Sequence, residues 1–487
     1  MIRSPASYRA DLDDGRQVYL DGAVVNVTSH PAFAGSLDTM SRLVARSTDD
    51  RLRHTDAAVG ADVAWWWSTP RSIEDLAARR RASELLAEET CGFVGRGPDH
   101  VASFFAGFVG NTAPFGPAAG NVLDFWKHAS VNDSYVSYVI IPPSIDRARA
   151  AAGGEPSQVR VVDETPQEIV VNGAHILGTG TALSDWLFVS CIPPLRPGQE
   201  DHAISFVVPV STEGLRIHCR KPYSAASSVF DAPFSSRFDE TDAVVMFDNV
   251  IVPREQVFIC RDIAATAAQF HDTAAHTLGN LQAQIRLMVK MRFLVGLAQR
   301  IVDVSGAASS ASALDAVAEL AAHAASVEAH VLAAEHGASL DANGVLVPDK
   351  RFLYSTMSRQ AEIYPRALHL LRELTSSQVI DLPSSVAALD HIDLVDHASS
   401  PGVGNEERVK LYRLAWDVIG SEFASRHHQY EMFYAGAPAV AKAHTRRTWR
   451  LEEAESLLDR ALGQWDRSTP LPGQPQTDQP LPESERS

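Results

Sequence analysis

The 487-residue chain has no apolar run approaching the roughly eighteen residues of a membrane span, no block of basic residues and only four cysteines. Each absence removes a class of protein. The opening "MIRSPASYRADLDD" lacks the apolar stretch of a signal peptide, so neither a secreted nor a membrane protein is expected and the expected location is the cytoplasm. A formal net charge of −17 without a basic stripe argues against nucleic acid and anionic membrane surfaces as partners. Cys91, Cys191, Cys219 and Cys260 are far apart with no C-x-x-C pair, which fits neither a disulfide framework nor a zinc site. They read as reduced, mostly buried thiols, and no metal is expected.

Several catalytic signatures are also missing. There is no Walker A loop and no G-x-S-x-G elbow, and no Glu is followed by a His three residues later. "GTGTAL" (178–183) opens like a dinucleotide loop but lacks the third glycine and has no helix behind it, which disfavours a Rossmann site. His323, His330 and His336 read as packing residues on one helical stretch, and the adjacent His427 and His428 point apart on a helix.

What is present, 45% hydrophobic and 21% charged residues, suffices for large cores in two or three domains. Residues 1–133 are mainly helical in pattern, with "SIEDLAARRRASELLAEET" (72–90) amphipathic and Pro98 opening a helix over "PDHVASFFAGFVG". Over 134–260 the period falls to two, in "SQVRVVDE", "EIVVNGAHIL", "DWLFVSCI", "HAISFVVPV", "GLRIHCRK" and "DAVVMFDNVIV", and Asn172-Gly173 signals a hairpin turn. Long Ala- and Leu-rich helices return over 261–462. Residues 463–487, rich in Pro, Gln and Ser, form an expected disordered tail.

One position resists a local explanation. Arg96 precedes Pro98 at the mouth of a helix, where the macrodipole disfavours a second cation by about 0.3–1 kcal/mol. An anion arriving there would resolve this, and His100, four residues on, shares nearly the same side. The competing readings are an Arg96–Asp99 surface pair and an exposed His100.

Five blocks carry a resemblance. "LDDGRQVYLDGAVVNVTSHPAF" (12–33), "GRGPD" (95–99), "NDSYVSYVIIPPSIDR" (132–147), "SRFDETDAVVMFDNVIVP" (236–253) and "LYRLAWDVIGSEFASRHHQYEMFYAG" (411–436) resemble, in order, the 4-hydroxyphenylacetate 3-monooxygenase large-component family. The resemblance implies an α+β, acyl-CoA dehydrogenase-like fold: an N-terminal helical domain (1–133), a middle β-barrel or sandwich (134–260) and a C-terminal four-helix bundle (261–462). It also implies an oxygenase that receives FADH2 from a separate flavin reductase and forms a C4a-hydroperoxyflavin with O2. A phenolic small molecule, free or tethered to a carrier protein, would then be hydroxylated ortho to its hydroxyl, by a homotetramer or dimer.

The same resemblance assigns residues. In the family an Arg and, four residues on, a Tyr face the phenol hydroxyl; here they are Arg96 and His100. A His of the block ending "DR" corresponds to Tyr138 when aligned on Asp146-Arg147, and a one-residue slip would give Ser137 or Val139 instead. Imidazole and phenol thus exchange places. Flavin contacts carry over to Ser144, Ile145, Asp146 and Arg147, to Thr181 or its neighbour Thr179, and to Gly420, Ser421, Glu422 and Phe423 at the dinucleotide end, where capping and turn formation compete as explanations. Two other outcomes stay open: the same flavin chemistry on another electron-rich ring or nitrogen, and an acyl-CoA dehydrogenase or dehydratase activity. The iron–sulfur dehydratase of this fold needs cysteines that "GRGPDH" and "FHDTAAHTLGNLQAQIR" lack.

Overall fold

Alternation at period two becomes two sheets. The computed structural model describes residues 3–152, 154–223, 228–391, 402–434, 436–465, 467, 469 and 472. Its strands are β1 (Gln17–Leu20), β2 (Ala23–Val25), β3 (Arg53–Asp56), β4 (Ala61–Ala64), β5 (Val136–Val139), β6 (Arg160–Glu164), β7 (Glu168–His175), β8 (Trp186–Ser190), β9 (Ile204–Pro209), β10 (Leu215–Cys219), β11 (Ala243–Pro253) and β12 (Val257–Cys260). One sheet has the order β2-β1-β10-β11-β7-β6, the other β12-β9-β8-β5, and β3 pairs with β4. Along β11, Val245, Phe247, Val250 and Val252 are buried while Val244, Met246 and Ile251 are exposed, so one face of the strand closes the core.

Two details depart from the sequence reading. Residues 17–25, within the segment expected to be helical, form β1 and β2, and β1 pairs parallel with β10 in register Val18 to Ile217, so the N-terminal segment contributes to the six-stranded sheet. Asn172-Gly173 makes no hairpin. β7 runs straight through it, with Asn172 opposite Arg160 and Gly173 opposite Phe247. The glycine serves a close approach instead, since its φ is +127° and a Cβ there would lie 2.7 Å from the Gln158 carbonyl oxygen.

Long apolar helices supply the rest. Ser72 caps the Ile73–Glu88 helix through a capping box with Asp75, and Pro98 starts the Pro98–Gly110 helix, buried along nearly its whole length. That helix packs against Ala275–Ser305, where Gly107 and Gly279 admit the close contact: a Cβ at Gly107 would strike the Ala275 backbone and one at Gly279 the Phe104 ring. The Ala311–His336, Lys350–Thr375, Asn405–Ile419 and Glu422–Phe433 helices complete the C-terminal region. Phe105 packs edge-on between Phe108 of its own helix, Phe188 of β8 and Phe258 of β12, joining helix to sheet. All four cysteines are free thiols. Among the described residues no helix is long and apolar enough to cross a membrane. The tail over 463–487 lies largely outside the described residues.

Candidate active site

The helix that Pro98 opens turns His100 inward and leaves Arg96 just before its first turn. His100 is buried, Arg96 half-buried, and the Arg96 Nη1 donates to His100 Nε2 at 2.6 Å. Tyr138, on the outward-turned position of β5, reaches the same point. Its ring centre lies 5.3 Å from that of His100 and 4.9 Å from the Arg96 guanidinium carbon. Of its neighbours, Ser137 also lines the crevice but has its hydroxyl bonded to Thr181 and Ser184, and Val139 is fully buried. Arg96, His100 and Tyr138 therefore converge on one narrow crevice, with Thr179 and Leu177 also on its wall.

Its electrostatics are unusual. Among the ion pairs of the described residues none includes Arg96, and Asp99, the nearest carboxylate in sequence, instead accepts from Gln282 Nε2 at 3.1 Å. Around the guanidinium lie rings: Tyr434 at 4.1 Å, Tyr138 at 4.9 Å and Tyr430 at 5.7 Å from its carbon. Burial opposes its charge, but Tyr138, Tyr430, Tyr434 and Glu240 outweigh burial and keep Arg96 protonated. Burial, then the Arg96 charge, hold His100 well below the usual imidazole range, so it is neutral at pH 7. Burial raises the Tyr138 pKa, with Arg96 working partly against it, and its hydroxyl keeps its proton. A fixed cation, a neutral imidazole and a phenol hydroxyl stand together.

The site is anchored from behind. Glu240 Oε1 accepts the amides of Gly95 and Arg96 at 2.8 and 2.5 Å, while its Oε2 pairs with Arg426 at 3.1 Å. Arg426 also grips Asp242 at 2.7 Å, and Asp242 accepts the Thr179 hydroxyl at 2.7 Å. None of Gln282, Tyr430, Tyr434, Glu240 and Arg426 was legible as a site residue. "RFDETD" and "SRHHQYEMFYAG" contain four of the five, but nothing local says that their charges are buried.

The expected flavin residues fall into three groups. Asp146 pins its loop by accepting the amides of Ser157 and Gln158, while Ser144, Ile145 and Arg147 are exposed. An isolated bridge between Ile141 and Ile176 sets that loop beside the Leu177–Thr181 turn. Of the two threonines, Thr179 lines the crevice, whereas Thr181 is fully buried with its hydroxyl oxygen bonded by Ser137. The Gly420–Phe423 segment is engaged in structure: Ser421 caps the Glu422–Phe433 helix, Phe423 is in the core against Phe93 and His427, Glu422 pairs with Lys221, and Trp416 abuts Gly420.

A family model described as 4-hydroxyphenylacetate 3-hydroxylase N terminal matches residues 4–259, and one described as 4-hydroxyphenylacetate 3-hydroxylase C terminal matches residues 266–463. The chain belongs to the 4-hydroxyphenylacetate 3-hydroxylase family. Among its relatives, the pyoverdin chromophore biosynthetic protein PvcC of Pseudomonas aeruginosa is 32% identical, covering 96% of both chains. The 4-hydroxyphenylacetate 3-monooxygenase oxygenase component of the same organism is 30% identical, covering 95% of this chain and 92% of that one. A crystal structure of a 4-hydroxyphenylacetate 3-monooxygenase oxygenase component with FAD and 4-hydroxyphenylacetate superposes with a TM-score of 0.90 at 28% identity, over 95% of this chain and 98% of that one. An acyl-CoA dehydrogenase from Geobacillus kaustophilus superposes with a TM-score of 0.53 at 13% identity, over 91% of this chain and 96% of that one, so the fold is acyl-CoA dehydrogenase-like, and family membership makes the chain a flavin-dependent monooxygenase.

Asp99 offers a measurement. Burial is the main cause that lifts its carboxyl from 3.8 to about 6, against hydrogen bonds from Gln282 and Ser83 and the Arg79 charge. A folded pKa above the unfolded one contributes stability that is fully present below about pH 3.8 and lost as pH rises through about 6. Asp99→Asn should flatten the stability of the protein between about pH 4 and 6 relative to wild type, measured as the difference in thermal unfolding midpoints; parallel curves would show that Asp99 titrates normally.

Proposed function

We propose that the protein is the oxygenase component of a two-component system, taking FADH2 from a separate reductase and hydroxylating a phenol ortho to its hydroxyl with O2. One observation carries the reading: Arg96, without a carboxylate partner among the described ion pairs, is held beside the neutral Nε2 of His100 inside a crevice walled by tyrosine. Ionising a phenol of pKa near 10 at pH 7 costs roughly 3 units, about 4 kcal/mol. Two charge-assisted hydrogen bonds of about 1.5–3 kcal/mol each can supply that.

Each residue has a defined task. Arg96 binds the phenolic oxygen as it becomes an anion, and the helix mouth adds the favourable end of its dipole. His100 Nε2 takes the phenol's proton. Tyr138 keeps its own proton and donates from the side of β5, while its ring and those of Phe104 and Tyr434 exclude water. An electron-rich ring carbon beside the oxygen is the result.

The turn and loop beside the crevice fit an isoalloxazine ring. Leu177 and Ile145 are 58% and 53% exposed, two large apolar side chains on adjoining segments that a flat apolar ligand would cover. Thr179 has donated its proton to Asp242 and retains lone pairs toward the crevice. FAD bound there supplies the activation of dioxygen and the transferable oxygen atom. Ser144, Ile145, Asp146, Arg147 and Thr179 would hold the ring, with Thr181 supporting the turn; Gly420, Ser421, Glu422 and Phe423 would meet the dinucleotide end through backbone groups and Glu422.

A second copy of the chain completes the partners. Every residue of the Leu451–Leu462 helix is exposed, and Leu451, Leu457, Leu458, Leu462 and Trp465 put an apolar stripe in water at helical spacing. Another copy covering that stripe gives the dimer or tetramer; light scattering that returns the 52.8 kDa mass of one chain would dismiss it.

The catalytic reading has its own test. Mixed anaerobically with reduced FAD and then exposed to O2, the protein should delay flavin re-oxidation relative to free FADH2. In the presence of a phenol it should release a catechol. Re-oxidation at the free rate with no catechol from any of a panel of phenols would refute the assignment.

A further inference from the structure

Behind His100 lies a row of side chains outside the lining of the crevice. His100 Nδ1 stands 3.0 Å from Gln282 Oε1, and Gln282 Nε2 donates to Asp99 Oδ2 at 3.1 Å. Asp99, His100 and Gln282 are 3%, 2% and 4% exposed, so water does not substitute for any of these partners. Tyr434 adds its hydroxyl 3.1 Å from the same Nδ1 and 3.5 Å from the Gly95 carbonyl oxygen.

The two ends of the row have fixed character. Arg96 can only donate, so the Nε2 that faces it must be a bare acceptor. An ionised Asp99 can only accept, so Gln282 must turn its NH2 group to Asp99 and its carbonyl oxygen to Nδ1. Nδ1 therefore carries the proton. Tyr434 is compatible, donating toward the Gly95 carbonyl and accepting from Nδ1–H alongside Gln282. The reverse amide orientation would set an NH2 against Nδ1, drive the proton to Nε2, and leave it facing the Arg96 donors with no base toward the crevice.

We propose that Gln282, oriented by Asp99, is a positioning residue that fixes His100 in the Nδ1–H tautomer and so keeps Nε2 available to take the phenol's proton. This rests on the reading of His100 as that base. When a phenol enters, Arg96 Nη1 leaves Nε2 for the phenolic oxygen; Nε2 then accepts the proton, Nδ1–H remains donated to Gln282 Oε1, and the amide passes part of the Asp99 charge to the imidazolium. One O–H bond breaks, one N–H bond forms, and no other group is required. The charged groups facing Asp99 are Arg79 from the Ile73–Glu88 helix and Arg286, which lines the same small cavity from the Ala275–Ser305 helix. Both favour its ionised form, in which it orients the amide.

The test reads the tautomer before it reads the rate. In protein labelled with 15N-histidine, with His100 assigned by its loss in His100→Phe, the resting wild type at pH 7.5 should show a protonated Nδ1 and an unprotonated Nε2. A protonated Nε2 overturns the proposal, whatever the enzyme does to phenols. Gln282→Leu, which keeps much of the volume and removes the amide, should mix the tautomers and lower the kcat of hydroxylation by about 10²-fold, within the range of general base catalysis, with a much smaller change in KM. Wild-type kcat in a folded Gln282→Leu protein also overturns it. Gln282→Glu keeps an acceptor at Nδ1 and should retain the Nδ1–H signal. If Gln282→Leu fails to fold, loss of the Nδ1–H signal in Gln282→Glu is the contradicting result. A wild type with the proposed tautomer and no monooxygenase activity would separate failure of the functional reading from failure of this one.

Discussion

The buried guanidinium of Arg426 is the constraint on which the site depends. It holds Asp242 through two bonds at 2.7 and 3.0 Å and Glu240 at 3.1 Å, and Arg220 adds bonds to Asp242 and Asp239 at 2.9 and 2.5 Å. The bundle helix Glu422–Phe433 is thereby tied to the lead-in of β11. From there the two carboxylates reach opposite walls of the crevice, Glu240 to the amides of Gly95 and Arg96, Asp242 to the hydroxyl of Thr179. Such networks add little net stability, because desolvation offsets most of the attraction, yet losing one member costs about 3–5 kcal/mol by stranding the others. Their contribution is placement. Two walls on different parts of the chain are held to one another by one buried guanidinium.

A second network plays the same role one turn deeper. Glu431 accepts a bidentate pair from Arg286 at 2.7 Å and a bond from Lys290 at 2.6 Å, all fully buried, and Gln360 completes it. Burial lowers Lys290 to about 7 even though Glu431 opposes the shift, since Arg286 already claims that carboxylate. Arg286 in turn lies 5.2 Å from the centre of the Tyr434 ring, which the Arg96 guanidinium approaches to 4.1 Å. Arg96 is the cation of the crevice, and Glu240, which accepts its backbone amide, supports that charge from behind. Burial, then the Arg96 charge, keep His100 neutral beside that cation.

Legibility in the sequence followed the range of the interaction. Local signals carried the long helices and the six strands between 157 and 253, because period acts within a few residues. β1 and β2, only four and three residues long, have too little pattern to show and depend on pairing with β10 almost two hundred residues on. Asn172-Gly173 misled because a glycine that admits a neighbouring backbone and one that turns a hairpin look alike in one dimension. Arg96 and His100 stood out as a local conflict with the helix dipole. Gln282 could not, being 182 residues from His100 and unremarkable in composition, and the partners Glu240 and Arg426 are separated by 186.

The central claim, that this crevice stabilises a phenolate, can be tested without any reaction. A coloured phenol such as 4-nitrophenol, titrated between pH 5 and 8 with the protein in excess, reports its own ionisation by its absorbance. A site built on Arg96 and neutral His100 predicts that the bound phenol ionises at lower pH than the free one, and that the shift disappears in Arg96→Met. An ionisation that stays at its free pH, or moves upward on binding, would contradict it.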